Sequence, residues 1–352
     1  MSTESFAILL SHGGGGEETW RLIRGLFLKY FSNPILNTLE DSAVVNLNPN
    51  AKGDFGGVTP FPLRTRIAFT TDSFTVSPLF FKGGNIGKLA VAGTVNDLSV
   101  IGAKPLYLSA GFIIEEGFPY PDLEKIVRGM AEEADSAGIK IVTGDTKVVP
   151  KGNADGLFIN TSGIGEIIYE GLSSSNLKEG DAIIVSGTVG DHGASILALR
   201  EEMRFDLDVE SDCRCMWDLI EMVLLSGAKV HAMRDPTRGG LSAVLHEWAG
   251  QSGMGIEIEE ENIPLKAPVR GLCEILGLDP LHLTSEGKVV FAVSEEDSDK
   301  VLEIVRSHPA GREAMVIGRV IRNPQKRVIS KTSWGTKRPL EPPQGELLPR
   351  IC

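Results

Sequence analysis

The sequence predicts an α/β protein with mixed sheets of the α+β type, built as two domains and ending in a flexible tail. Three observations carry that expectation. Apolar runs of strand length alternate with amphipathic helical segments on both sides of a break near residues 169–178. The 352 residues are enough for two domains of ordinary size, each with a core. From Lys331 onward periodicity gives way to Pro and Gly, so the expected units are 1–168, 169–330 and a tail over 331–352.

In the first half, Ser11–Gly16 is a glycine loop that enters a helix carrying Trp20, Ile23, Phe27 and Tyr30 at apolar spacing. Such a junction presents unpaired N–H groups to an anion, although the Gly-Lys-Ser/Thr ending of a P-loop is missing. Residues 48–62 form a Pro, Gly and Asn loop, and Arg66–Asp72 reads as a strand ending in an acid. Gly83-Gly84-Asn85 breaks the chain before a helix with Ile86, Leu89, Ala90, Ala92 and Val95, which carries Asn96 and Asp97 on its later turns. Leu106–Ile114 is an apolar strand and 122–137 an amphipathic helix. Ile139–Val142 is a strand that ends at Gly144-Asp145-Thr146-Lys147, and Leu157–Ile168 is another.

In the second half, the strand Ala182–Ser186 opens through the Gly187–Gly193 loop into a helix with Ile196, Leu197 and Leu199. Met216–Leu225 is helical, and Asp235-Pro236-Thr237-Arg238-Gly239-Gly240-Leu241 heads a further helix, with Asp235 suited to cap it. Thr284–Lys288 is a polar turn before the strand Val289–Val293; Glu295–Ser307 is a surface helix, and Val316–Val320 and Val328–Ser330 are closing strands. The glycine loops lack the GxGxxG order of a dinucleotide site.

Composition narrows the function. With 42% hydrophobic and 23% charged residues the chain is globular, and a net charge of -12 argues against a nucleic-acid partner. No run approaches the roughly 20 apolar residues of a membrane span, and the N-terminus lacks a basic segment and cleavage motif. Four cysteines give no disulfide framework, which favours a reducing, cytoplasmic setting.

Asp72, Asp97, Asp145 and Asp235 each stand at a strand end or a glycine-containing turn, and Asp41 precedes an apolar run. Mg²⁺ sites beside phosphates are built from such acids, because the ion takes hard oxygen ligands. Any one of them alone is more often a cap or turn residue; together they form the stronger signal. Lys147 adds a positive charge near Asp145, or is a surface lysine. Glu286 can serve as a general base or cap its turn. Cys213 and Cys215 lack a second pair at zinc spacing, Cys273 reads as core, and His192 and His12 are candidate anion contacts. Cys352 closes a Pro- and Gly-rich segment whose roughly 22 residues could extend about 70 Å, so the tail itself is a candidate substrate.

The motifs TTDSF (70–74), GGNIGKLAVAGTVNDLSVIGAKP (83–105), GDTKVV (144–149), DPTRGGL (235–241) and PRIC (349–352) together resemble the HypE family of hydrogenase maturation proteins, within the AIR synthetase (PurM-like) superfamily. The resemblance implies a two-domain PurM-like fold, a homodimer joined through its N-terminal sheets, and ATP with Mg²⁺ bound between the domains. It implies that the HypF carbamoyltransferase loads the terminal cysteine and that ATP-dependent dehydration turns the thiocarboxamide into a thiocyanate. The cyano group then passes to iron on the HypC–HypD scaffold, for the cyanide ligands of [NiFe]-hydrogenase. By motif position it implies Asp41, Asp72, Asp97 and Asp235 as metal ligands, and Asn96, Gly144, Asp145 and Thr146 beside the nucleotide. Cys352, Glu286 and Lys147 are the implied catalytic residues, with Arg350 expected to offset the carboxylate next to the thiol. A selenophosphate synthetase-like enzyme would need a reactive cysteine by the N-terminal glycine loop, which this loop lacks, and an AIR synthetase-like ligase would need no terminal cysteine. A non-catalytic, ATP-switched carrier would need neither Lys147 nor Glu286.

Overall fold

The computed structural model describes residues 16–46, 66–200, 207–343 and 348–352. The glycine loop over 11–15, with His12, and the loop over 48–62 lie outside these residues.

The described chain opens with α1 (Glu17–Leu22), which runs through a π-helical stretch, Ile23–Phe27, into α2 (Leu28–Phe31). Next come β1 (Ala43–Asn46), β2 (Arg66–Phe74), and the short ribbon of β3 (Phe80–Phe81) and β4 (Gly84–Asn85). Asn85 accepts the N–H groups of Gly87 and Lys88 and so starts α3 (Ile86–Val100). β5 (Ala103–Glu115), α4 (Tyr120–Ser136), β6 (Lys140–Val149) and β7 (Leu157–Ile167) follow. The sheet order is β1-β2-β7-β5-β6, with β5 and β6 parallel because α4 crosses between them.

Along β2, β5 and β7 alternate side chains point to opposite faces. Ala68, Phe74, Leu108, Ala110, Leu157 and Ile159 are buried, while Phe69, Tyr107, Ile113 and Ile164 are exposed. The sheet therefore has one packed and one open face. The expected strand end at 144–147 is corrected here: β6 pairs with β5 through Gly144, Asp145, Thr146 and Lys147 as far as Val149. Gly144 permits this, since a Cβ there would overlap the Ala110 carbonyl.

The second half contains β8 (Ala182–Val185), α5 (Asp191–Leu199), α6 (Trp217–Leu225), β9 (Val230–Arg234), α7 (Gly240–Ser252) and β10 (Gly255–Glu259). α8 (Ala267–Leu276), β11 (Val290–Val293), α9 (Ser298–Ser307), β12 (Met315–Ile321), β13 (Val328–Lys331) and β14 (Lys337–Pro339) complete it. Its seven-stranded sheet runs β14-β13-β10-β12-β8-β11-β9. The cap of α7 is Gly239, in the left-handed region at φ 76°, so Asp235 is not the cap and is left for other work.

α3 links the two halves. It packs on β2 and β7, beside α4, and against α6 and β9. With neighbours all round, nearly every side chain on it is buried, which is why its sequence is apolar and rich in small residues rather than amphipathic. One core cluster accordingly runs from Leu89 and Val95 through Leu219, Ile220 and Val223 to Phe291.

The segment after residue 330 carries more structure than its composition suggests. β14 pairs with β13, Leu348 and Ile351 are buried in the main core, and Cys352 packs against it, so the end of the expected flexible tail is docked here.

Candidate active site

The loop before β1, the strand β2, the helix α3 and the end of β9 bring Asp41, Asp72, Asp97 and Asp235 together. Carboxylate oxygens of Asp41, Asp97 and Asp235 lie within 4.8 Å of one another. Asp72 lines the same cleft, and Thr70 Oγ1 donates to Asp97 Oδ2 at 2.9 Å. Burial, then the charge of Asp72, pushes the Asp97 carboxyl well above its ordinary range. Burial, then the charge of Asp41, pushes Asp235 up to about 8. An all-carboxylate cluster whose members repel one another fits a hard divalent cation, which would neutralise them. Arg234, also buried, anchors one member: its Nε donates to Asp41 Oδ2 at 2.8 Å while its Nη1 pairs with Glu247.

These acids line a cleft of about 710 Å³ together with Glu286, Arg238 and Cys352. The opposite wall is apolar, made by Trp20, Ile23 and Phe27 from the first helical segments. A polar end beside an apolar wall suits a ligand with a phosphate tail and a flat base.

Glu286 is held by its own backbone. Its N–H donates to Asp212 Oδ1 at 3.0 Å, and its carbonyl accepts from Asn96 Nδ2 at 3.3 Å and Arg214 N–H at 3.4 Å. The next residue must be glycine, because a Cβ on Gly287 would overlap the Asp212 carbonyl. The carboxyl is thereby fixed in a buried position, and its Oε1 has no hydrogen-bond partner among the described residues. Burial, then Asp235, Asp212 and Asp72, raises its pKa well above the usual carboxylate range, with Arg238 opposing.

Asn96 is a correction. It was expected beside a nucleotide, but it is fully buried, and its Oδ1 accepts the Met216 N–H at 2.8 Å while its Nδ2 holds the carbonyls of Arg214 and Glu286. It positions Glu286 from behind. Gly144, Asp145, Thr146 and Lys147 are also not brought to the cleft of their own chain: they sit exposed on the edge strand β6, where Lys147 Nζ pairs with Asp145 Oδ2 at 2.9 Å. Lys147 holds the Asp145 carboxyl below its ordinary range.

The last residues lie in a groove between β2 and α5. The Thr75 N–H donates to the Cys352 main-chain oxygen at 2.9 Å and the Ser77 N–H to the Arg350 carbonyl at 3.0 Å, so the tail is held by backbone bonds along residues 75–77. Arg350 is taken up by the Thr75 carbonyl, Asp155 and the ring of Phe158, so it is not the cation beside the thiol; Arg238 lines that part of the cleft instead. The Gly187–Gly193 loop contributes His192, whose Nε2 meets the Ile351 carbonyl at 2.8 Å rather than an anion. Cys213, Cys215 and Cys273 are buried, and burial raises all three thiols.

Arg234, Asp212, Thr75 and the tail contact of His192 were not legible beforehand. Arg238 sits inside DPTRGGL and the motif was visible, but nothing in it distinguished that residue.

Comparison with known proteins gives a consistent picture. Residues 40–167 match the family model "AIR synthase related protein, N-terminal domain", and 178–331 the corresponding C-terminal domain. A protein of Escherichia coli (strain K12) named Carbamoyl dehydratase HypE is 49% identical over 349 residues, covering 98% of this chain and 99% of that protein. The crystal structure of a HypE–HypF complex superposes with a TM-score of 0.82 at 49% identity, over 92% of this chain and 99% of that one. A HypE crystal structure in complex with ATP gives 0.79 at 44% identity, over 98% and 100%.

Proposed function

The chain belongs to the HypE family of carbamoyl dehydratases, and on that premise we infer that Cys352 is the residue whose S-carbamoyl group is dehydrated. The observation that carries this reading is the seating of Cys352 in the same cleft as the aspartate cluster and Glu286. The reaction is ATP-dependent: thiocarboxamide and ATP become thiocyanate, ADP and phosphate.

An amide oxygen is a poor leaving group. MgATP, when bound, supplies the phosphoryl group that makes it a good one. Asp41, Asp72, Asp97 and Asp235 would hold the magnesium, and the apolar wall at Trp20 and Ile23 would take the base. Glu286 is the group that accepts the amide proton as the carbon–nitrogen triple bond forms; its unpartnered Oε1 and rigid backbone support that role. Arg238 offers positive charge beside Asp72 and Cys352 as negative charge builds on the departing oxygen. Ile351, next to the reacting residue, is buried, which holds the tail in its inward seat.

Lys147 fits this scheme through a homodimer. The open sheet face bearing Phe69, Tyr107, Ile113 and Ile164 is an apolar patch of the kind two copies bury, and β6 is an unpaired edge. Joined there, the edge strand of one protomer would carry Lys147, Asp145, Gly144 and Thr146 towards the other protomer's cleft. HypF would load Cys352 from an outward pose, and the HypC–HypD scaffold would receive the cyano group; the HypE–HypF crystal structure supports the first of these. A reducing cytoplasm would keep the Cys352 thiol available, and no helix among the described residues is long and apolar enough to cross a membrane.

The test is Cys352→Ala. It should bind MgATP as the parent does and form no thiocyanate when supplied with the carbamoylating system. Thiocyanate formed on that variant would remove the tail from the reaction.

A further inference from the structure

The carbonyls of the last residues each have an assigned donor. Arg200 Nη2 reaches the Pro349 carbonyl at 2.5 Å, Ser77 N–H the Arg350 carbonyl at 3.0 Å, His192 Nε2 the Ile351 carbonyl at 2.8 Å, and Thr75 N–H the Cys352 oxygen at 2.9 Å. Among these donors His192 is fully buried and part of a relay. A carbonyl can only accept, so Nε2 carries the hydrogen and Nδ1 is the acceptor in the neutral ring. Nδ1 lies 2.7 Å from Ser211 Oγ, which in turn accepts the Cys213 N–H at 3.1 Å. Burial lowers the pKa of His192, which favours the neutral ring. Phe81 packs edge-on against the imidazole, with centroids 5.3 Å apart, and prevents the ring from swinging out of line.

The segment that fixes His192 also fixes Glu286. Ser211 orients the imidazole; Asp212, the next residue, accepts the Glu286 N–H, and the Arg214 N–H donates to the Glu286 carbonyl. The segment is itself tied down by the Ser211 N–H bond to the Lys82 carbonyl at 2.9 Å. One stretch of four residues, Ser211–Arg214, therefore sets both the register of the tail and the place of the carboxyl.

We propose that His192, oriented by Ser211, is a positioning residue for the dehydration: by holding the Ile351 carbonyl it sets the register in which Cys352 meets Glu286. The proposal rests on the reading of Cys352 as the dehydrated residue. It goes beyond that reading in giving the tail a buried polar latch that is distinct from the nucleotide site. His192 touches neither the reacting atoms nor the aspartate cluster, so its loss should affect the tail and spare the nucleotide.

Two readouts on the full chain test this. The first is the alkylation rate of Cys352 by iodoacetamide in the resting protein, followed on the C-terminal peptide. The second is the single-turnover rate of water loss from the S-carbamoylated protein on adding MgATP. His192→Leu removes the donor; it should raise the alkylation rate and slow dehydration, each by about tenfold, with MgATP affinity unchanged. His192→Gln, whose amide can still donate, should recover most of both. Ser211→Ala, a milder change, should fall between them and covers the case in which His192→Leu does not fold. Parent rates of alkylation and dehydration in His192→Leu, or in Ser211→Ala if that is the variant that folds, would overturn the proposal. So would equal losses in His192→Leu and His192→Gln accompanied by lost MgATP binding, which would mark a purely structural residue. If the parent protein failed to dehydrate at all, the functional reading would fall, while the alkylation rates would still report on the latch.

Discussion

Glu286 concentrates the chemistry in one side chain. Its backbone is held on both sides, its carboxyl is buried, and its Oε1 has no hydrogen-bond partner among the described residues. Glu286→Gln keeps the shape and removes the base, so single-turnover dehydration should slow by roughly 10²–10⁴ while nucleotide affinity holds; rapid-quench mass analysis of the tail measures it. The aspartates make a separate prediction. Asp235 in the metal-free fold has a pKa of about 8 against an ordinary 3.8, so the folded chain keeps a proton that the unfolded chain gives up. Its stabilising contribution is present below the ordinary value and is lost as pH rises through about 8. In chelator, the melting temperature should therefore fall between roughly pH 5 and 8, and added Mg²⁺ should raise it most at the upper end. Thermal scans with and without the ion decide this, and a Mg²⁺ effect independent of pH would count against the assigned ligands.

Among the elements, α3 and the Ser211–Arg214 segment do most to assemble the cleft. α3 presents Asp97 to the cluster and, one residue earlier, turns Asn96 towards the carbonyls of Arg214 and Glu286. The Asn-Asp pair was legible as a motif, and so was the helix around it. The division of labour was not: two adjacent helical residues point in different directions, and only the placement of α6 and the Glu286 turn shows what Asn96 meets. The polar turn over 284–288 was readable, but the reason for Gly287 lies in a segment more than seventy residues earlier in the chain. Gly287→Ala should cost about 1–3 kcal/mol in denaturant unfolding and displace Glu286, lowering activity by more than the stability loss explains. The GDTK stretch reads as the end of a strand because its glycine and charges look like a terminus; pairing with β5 carries the strand on to Val149 and overrides that local signal. Arg234, invisible beforehand at the end of β9, is a buried cation between Asp41 and Glu247. Arg234→Met should destabilise the fold by about 3 kcal/mol in denaturant unfolding, because two half-buried carboxylates lose their buried partner.

On the scale of the whole molecule, two sheets share α3 and enclose a cleft into which the chain returns its own last residues. The alternation of strands and helices was sufficient to foresee both sheets, since period and length are local properties. The docking of the tail was not, because Pro349–Cys352 pairs with residues 75–77 far back in sequence and short pairings leave no periodic trace. The proposed homodimer makes a further claim at this scale. Ile164→Asp on the open sheet face should give monomers by light scattering and lose dehydration activity with Lys147, while leaving the fold intact; a stable dimer would place the interface elsewhere. The central claim is that Cys352 carries the group that is dehydrated within this cleft. Its most direct measurement is the mass of the C-terminal peptide from S-carbamoylated protein before and after MgATP. The account predicts loss of one water with one ADP formed per chain, and an unchanged peptide mass while ATP is consumed would contradict it.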